Sequence, residues 1–153
     1  MGWSYPCDVW SIGCILIEFF TGEALFQTHE NLEHLAMMER VFGSMPRPYA
    51  REAARRKGEF FVSGATKDGA PRINFPTKQT PRNSAKFVKD MRPLKDIIDP
   101  SSDDKFRFLQ LLRRLLAWDP NDRCTVQEAL RDDFFKCVDA RAPSRFSVCG
   151  LAS

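Results

Sequence analysis

Two charged side chains are the first candidates for chemistry. Asp8 stands near the start of a strongly apolar segment, and Arg123 ends the polar segment 119–123. A buried carboxylate is costly without a partner, so Asp8 either caps its own helix or bonds backbone outside it. Arg123 could be a solvated loop residue, could cap carbonyls at the end of the preceding helix, or could pair with a buried carboxylate.

The residue types that act as nucleophiles or metal ligands lack suitable companions. The two histidines, His29 and His34, have no Ser or Cys partner at a diagnostic position. The five cysteines form no C-x-x-C pair, which excludes a credible zinc site and favours reduced thiols in a cytosolic or nuclear protein. We therefore predict no catalytic, cofactor-binding or metal-binding residue in this chain.

The octapeptide at positions 33–40 is the most specific pattern in the sequence. It consists of Glu33, His34, Leu35, Ala36, Met37, Met38, Glu39 and Arg40. Eight specified positions of mixed chemistry would rarely arise by chance. Leu35 and Met38 are more typical of a core than of a binding site, and the charged members give a helix its polar edges.

Size and composition indicate one ordinary globular domain. The chain has 153 residues, with 43% hydrophobic and 28% charged. A net charge of +3 is too small to favour nucleic-acid binding through bulk electrostatics. The apolar run 12–17 is much shorter than the roughly 20 residues that span a bilayer. We therefore expect no direct contact with nucleic acid or membrane.

Four helices must position these residues, and the patterns predict them at about 6–21, 31–42, 104–117 and 125–135. The first is apolar on nearly every side, which predicts a buried helix. The second has an apolar stripe made of Leu32, Leu35, Met38 and Phe42. A capping box, Thr125 to Glu128, begins the last one.

The segment at about 47–104 has a different composition and is predicted to be an insertion. Two short apolar runs, 60–62 and 72–75, flank a turn signal and predict a β-hairpin. The basic cluster between Arg47 and Lys57 is interpreted as a solvated helix face. Residues 137–153 are predicted to form a polar tail.

Several ordered blocks resemble the protein kinases of the LAMMER type, in the cyclin-dependent-kinase-like group. Asp8, Trp10 and Gly13 resemble the D-x-W-S-x-G start of the kinase F helix, and residues 33–40 resemble the signature that names the family. The segment 92–94 resembles its K/R-P-L motif, and the block ending at Arg123 is similar to the last kinase subdomain. The resemblance implies a mainly α fold: the lower half of the C-terminal lobe of a protein-kinase-like fold, at residues 1–136, with a small hairpin in the insertion.

The resemblance also implies roles for single residues. The family position of Asp8 accepts hydrogen bonds from the backbone of the catalytic loop. The position of Arg123 pairs with the Glu of an A-P-E motif, and the octapeptide belongs to a structural G helix. None of these groups is catalytic, and we expect Asp8 and Arg123 to have lost those partners.

The function implied by the resemblance is transfer of the ATP γ-phosphate to Ser, Thr or Tyr of proteins, with Mg²⁺. Expected substrates are arginine/serine-rich splicing factors, in the nucleus. The sequence contains no G-x-G-x-x-G, V-A-I-K, H-R-D, D-F-G or A-P-E motif, which that reaction needs. We therefore expect an inactive fragment of such a kinase that binds neither ATP nor Mg²⁺ itself. The alternative is a non-catalytic helical docking or regulatory module derived from a kinase lobe.

Overall fold

The structure is a computed structural model that describes residues 5–28, 30–64 and 69–136. The elements in chain order are α1 (Tyr5–Thr21), α2 (Asn31–Phe42), α3 (Arg47–Arg56), β1 (Phe61–Val62), β2 (Arg72–Ile73), α4 (Arg82–Asp90), α5 (Leu94–Ile97), α6 (Asp103–Leu115) and α7 (Val126–Leu130). Two short 3₁₀ turns, Gly58–Phe60 and Pro120–Asp122, interrupt the connections. The predicted mainly α fold with one small hairpin is confirmed, whereas the predicted tail lies outside the described residues.

Helix α6 supplies the centre of the main core. Its five buried residues are Phe108, Leu109, Leu111, Leu112 and Leu115. They pack with buried residues of α1 and α7 and with Ile98, which is fully buried. Ser102 caps the helix by accepting a hydrogen bond from the backbone N–H of Lys105 at 3.4 Å. The observed helix begins one residue before the predicted start and ends two residues before the predicted end.

Helix α1 packs against α6 through one side only. Val9, Gly13 and Ile17 are buried, whereas Ile15 is partly exposed and Phe19 is 82% exposed. The prediction that this helix is buried all round is therefore wrong. Its composition reflects two apolar faces, of which the described part of the chain covers one.

Gly13 lets α1 approach the end of α6 closely. A Cβ atom placed at Gly13 would lie 2.7 Å from Cγ of Leu116 and 3.3 Å from Cβ of Leu115. The first distance is shorter than Cβ contacts in proteins and the second is tight, so a side chain at position 13 would force the two helices or Leu116 to shift.

Gly13→Val is therefore expected to lower the free energy of unfolding by about 1–3 kcal/mol, because overpacking forces the two helices apart. Urea unfolding followed by circular dichroism measures the change. Gly58→Val is the matched control, since a Cβ atom placed at Gly58 would have no other group within 4 Å. A loss at Gly58 equal to that at Gly13 would contradict the packing argument.

The predicted insertion contains more regular structure than its composition indicates. The hairpin is confirmed: β1 and β2 are antiparallel, with Phe61 opposite Ile73 and Val62 opposite Arg72. The basic cluster lies along α3. One side of this helix buries Ala50 and Ala53, while its arginines are exposed, as expected for a solvated helix face. Helix α4 was not predicted, since its sequence is largely polar and Val88 is its only fully buried residue.

The capping box at the start of α7 is confirmed. The backbone N–H of Glu128 donates to Oγ1 of Thr125 at 3.2 Å, and Oε2 of Glu128 accepts from the N–H of Thr125 at 2.7 Å. The helix ends at Leu130, whereas the prediction extended it to about 135. A bend at 131–132 separates it from a further helical stretch at 133–136, and the Asp132 carboxylate accepts a hydrogen bond from the backbone N–H of Phe134 at 3.0 Å, as an N-cap does.

Candidate functional site

The octapeptide lies entirely on α2, whose predicted bounds are confirmed. The predicted stripe is wrong in detail. Ala36, Met37 and Val41 are the buried residues, whereas Leu35 and Met38 are half-buried. The difference arises because α2 has neighbours on more than one side: Met37 packs with residues of β2 and α4, while Val41 belongs to the core around α6.

Glu33 connects three parts of the chain. Ser84 of α4 donates a hydrogen bond to Oε1 of Glu33 at 2.5 Å, and the Thr28 hydroxyl donates to Oε2. These hydrogen bonds, that of Ser84 first, lower the pKa of Glu33. Sequence reasoning missed this pair of partners, because Ser84 is 51 residues away and no local pattern marks it.

His34 is held in an apolar setting. Its ring lies 4.9 Å from the ring of Phe26, and Nε2 is buried with no hydrogen-bond partner among the described residues. Desolvation lowers the pKa of His34 below its ordinary value, because burial disfavours the imidazolium. The side chain therefore contributes to the packing of α2 against Phe26.

The stability of the chain is expected to fall as the pH drops below about 6.5, the ordinary pKa of an unfolded histidine. A histidine whose pKa is lowered by folding stabilises the folded state above its unfolded pKa, and that contribution is lost as the pH falls towards the folded pKa. His34→Phe keeps an apolar ring but cannot titrate, so it should flatten the pH dependence between about 7.5 and 5.5. Urea unfolding at a series of pH values measures this. Parallel curves for both proteins would contradict the assignment.

Glu39 and Arg40, the last two members of the octapeptide, interact with groups elsewhere in the chain. Nε of Arg40 donates to the backbone oxygen of Met91 at 3.0 Å, which connects α2 to the end of α4. Burial raises the pKa of Glu39, partly offset by the charge of Arg72 and by a backbone hydrogen bond from Met45. The octapeptide is thus a structural junction in which most polar members contact a distant part of the chain.

Arg123 is the second junction, and it connects both ends of the lobe. Its Nε donates to the carbonyl of Ala117 at 2.7 Å and Nη2 to that of Trp118 at 3.2 Å. Its Nη1 donates to the carbonyl of Pro6 in α1 at 2.9 Å, and the guanidinium lies 4.7 Å from the centre of the Trp10 ring. The carbonyl-capping alternative is the one observed. Within the described residues, backbone carbonyls and an aromatic face accept the guanidinium.

Asp8 differs from the expectation of a buried charge. It lies in the first turn of α1, where a carboxylate interacts favourably with the helix dipole, but its side chain is exposed. Exposure to water removes the cost of an unpaired charge, so Asp8 needs no partner to be tolerated here. Trp10 and Gly13, the other members of this block, face Arg123 and α6 respectively.

Neither Cys14 nor Cys124 is an activated thiol. Burial, with the charge of Glu18, raises the pKa of Cys14 to about 11, and burial also raises that of Cys124, so both thiols are protonated near neutral pH. Within residues 5–28, 30–64 and 69–136, no three His, Cys, Asp or Glu side chains are placed to hold a metal ion. The helices of these same segments include none with the length and apolar character needed to cross a membrane.

Comparison with known proteins gives a consistent result. The protein kinase domain family matches residues 1–135. Over 137 residues the chain is 50% identical to the serine/threonine-protein kinase AFC3 of Arabidopsis thaliana, covering 89% of this chain and 33% of that protein. Over 135 residues it is 44% identical to the dual specificity protein kinase lkh1 of Schizosaccharomyces pombe, covering 88% of this chain and 19% of that one.

A crystal structure of another kinase domain superimposes on the chain with a TM-score of 0.72 and 35% identity, covering 87% of this chain and 36% of that one. The chain spans a third or less of the length of the two curated relatives. The names of these relatives and the family match confirm the predicted resemblance to dual-specificity kinases of the LAMMER type. The chain belongs to the protein kinase family, and residues 1–135 correspond to part of the kinase domain.

Proposed function

We propose that this chain forms the helical lower part of a catalytic domain that transfers the γ-phosphate of ATP to Ser, Thr or Tyr of arginine/serine-rich splicing factors. The observation that supports the proposal is the kinase-domain match, which extends through residue 135. In this role α2 and Arg123 are positioning elements: they hold the helices together and touch no reacting atom.

Full-length protein kinases use ATP and Mg²⁺. Each of these two groups requires particular residues around it. No metal-holding cluster occurs among the described residues. The cavity that contains Arg123 is lined mainly by apolar side chains, without a glycine-rich loop to surround phosphates. The described residues therefore do not fit these groups, and no step of phosphate transfer is assigned to them.

The exposed face of α1 supports a role inside a larger domain. Its exposed apolar side chains include Ile12, Ile15, Phe19 and Phe20. A contiguous apolar surface of this kind commonly marks an interface. We propose that the rest of the kinase domain covers it.

A chimeric kinase tests the proposed function. The segment of AFC3 that aligns with residues 1–135 is replaced by the corresponding residues of this chain, and phosphate transfer to an arginine/serine-rich peptide is measured. We expect the chimera to phosphorylate this peptide and not a control peptide with alanine in place of serine. The 153-residue chain alone is expected to transfer no phosphate.

Two variants of the chimera test whether the inserted segment supports its activity. Arg123→Ala should reduce transfer, because it breaks the junction between α1 and the 117–123 segment, while Arg51→Ala on the exposed side of α3 should not. A folded chimera without activity, beside an active AFC3 parent, would overturn the proposal. Transfer by the isolated chain would overturn the assignment of catalysis to residues outside it.

We further propose that the protein acts in the nucleus, where splicing factors are found, as the family resemblance implies. Immunofluorescence with an antibody raised against this chain measures its distribution. Staining confined to the cytoplasm would contradict this assignment.

A further inference from the structure

An apolar cavity of about 310 Å³ lies between α2, α3 and the hairpin. Its main apolar lining residues are Leu35, Met38, Met45, Phe60, Phe61 and Trp118. The cavity is at the lower end of the size range of small ligand sites, so it can take one bulky apolar side chain. Two members of the octapeptide, Leu35 and Met38, thereby form part of a surface feature in addition to the helix packing.

Every charged side chain that lines this cavity is basic. These residues are Arg56, Lys57 and Arg123. Arg56 is paired with Glu52 at 2.5 Å, whereas the hydrogen bonds of Arg123 go to uncharged carbonyls. Lys57 is exposed at the rim, and no carboxylate belongs to the described lining. The cavity therefore combines an apolar interior with a basic lining, in which Arg56 is already paired and Lys57 is exposed.

We propose that this cavity is a docking site for an acidic peptide segment of another protein, which inserts one bulky apolar side chain and pairs a neighbouring carboxylate with Lys57. Charge complementarity decides the occupant. An unmodified arginine-rich substrate would place like charges together, and so would a second copy of this chain with its basic α3. The proposal does not depend on phosphate transfer, so an inactive chimera would leave it intact.

Fluorescence anisotropy with the purified 153-residue chain tests the proposal. The probe is a labelled peptide with a central Phe flanked by Asp and Glu. One control peptide has Gly in place of Phe, and another has Lys in place of the acidic residues. We expect saturable binding of the acidic Phe peptide alone. Equal binding of the Lys peptide, or of the Gly peptide, would overturn the proposal.

Two pairs of variants locate the binding surface. Lys57→Glu should weaken binding about fivefold or more, as expected for reversal of an exposed charge, while Lys78→Glu, exposed elsewhere, should not. Met45→Trp fills the cavity from a loop and should abolish binding, whereas the exposed neighbour Ser44→Trp should leave it unchanged. Circular dichroism and urea unfolding establish that each variant is folded.

The alternative occupant is a second copy of this chain. Sedimentation of the same samples tests for it. A monomer whose peptide affinity falls only in Lys57→Glu and Met45→Trp supports the proposal. Self-association that Met45→Trp abolishes would instead assign the cavity to a second copy and overturn it. The same four variants in the AFC3 chimera repeat the binding measurement in a complete domain, and equal affinities for all four would also overturn it.

Discussion

Leu112→Ala is expected to lower the free energy of unfolding by about 2–5 kcal/mol. Leu112 of α6 is 0% exposed and belongs to the core cluster that includes Val9 and Ile17 of α1. Truncation removes the transfer free energy of the side chain and leaves a cavity that the packed helices fill only partly. Since a domain is typically stable by about 5–15 kcal/mol, this single change removes a large share.

Urea unfolding followed by circular dichroism measures the loss for Leu112→Ala. The matched control is Leu130→Ala, which makes the same chemical change at a position that is 64% exposed. The control should change stability by no more than about 0.5 kcal/mol. Similar losses at both positions would show that α6 is not the centre of the core.

Arg123→Ala is expected to lower the free energy of unfolding by about 2–4 kcal/mol. Hydrogen bonds that involve a charged group contribute about 1.5–3 kcal/mol, and the contact with Trp10 adds about 0.5–1 kcal/mol. The three acceptors lie in two separate segments, so the change also loosens α1 from the segment after α6. Urea unfolding measures this loss.

Arg123→Lys is expected to recover less than half of that stability. A lysine ammonium is a compact charge and cannot reach three carbonyls in the directions that the planar guanidinium serves. Arg51→Ala, at an exposed position of α3, is the control and should have little effect. Full recovery by lysine would mean that charge alone matters at position 123 and that the fork geometry does not.

The expected losses at Leu112 and Arg123 assign the stability of the lobe to two sources. One is the apolar core around α6, and the other is the set of hydrogen bonds made by Arg123. Residues of the family motifs contribute to both: Gly13 permits the contact of α1 with α6, while Trp10 and Arg123 connect α1 to the segment before α7. The motifs that identify the chain as part of a kinase domain therefore act here as packing and hydrogen-bonding elements. Packing and hydrogen bonding account for these residue types at these positions without any catalytic role.

Much of the secondary structure could be predicted because its signals are local. The Thr125–Glu128 capping box, the ends of α2 and the hairpin each depend on residues a few positions apart. Helix α4 could not be predicted, because its polar sequence has only one fully buried residue and its position depends on packing against α2. The division of the chain near residue 136 stays a prediction.

The sequence by itself determined the helical class, the resemblance to kinases and the lack of the motifs that bind ATP. Tertiary structure decided which faces are buried, which partners Glu33 and Arg123 have, and where a cavity forms. The physical reason is the range of the interactions. Periodicity, caps and motifs are read within a few residues, whereas Ser84 reaches Glu33 across 51 positions and Arg123 reaches Pro6 across 117. Only the packing of the helices brings such groups together.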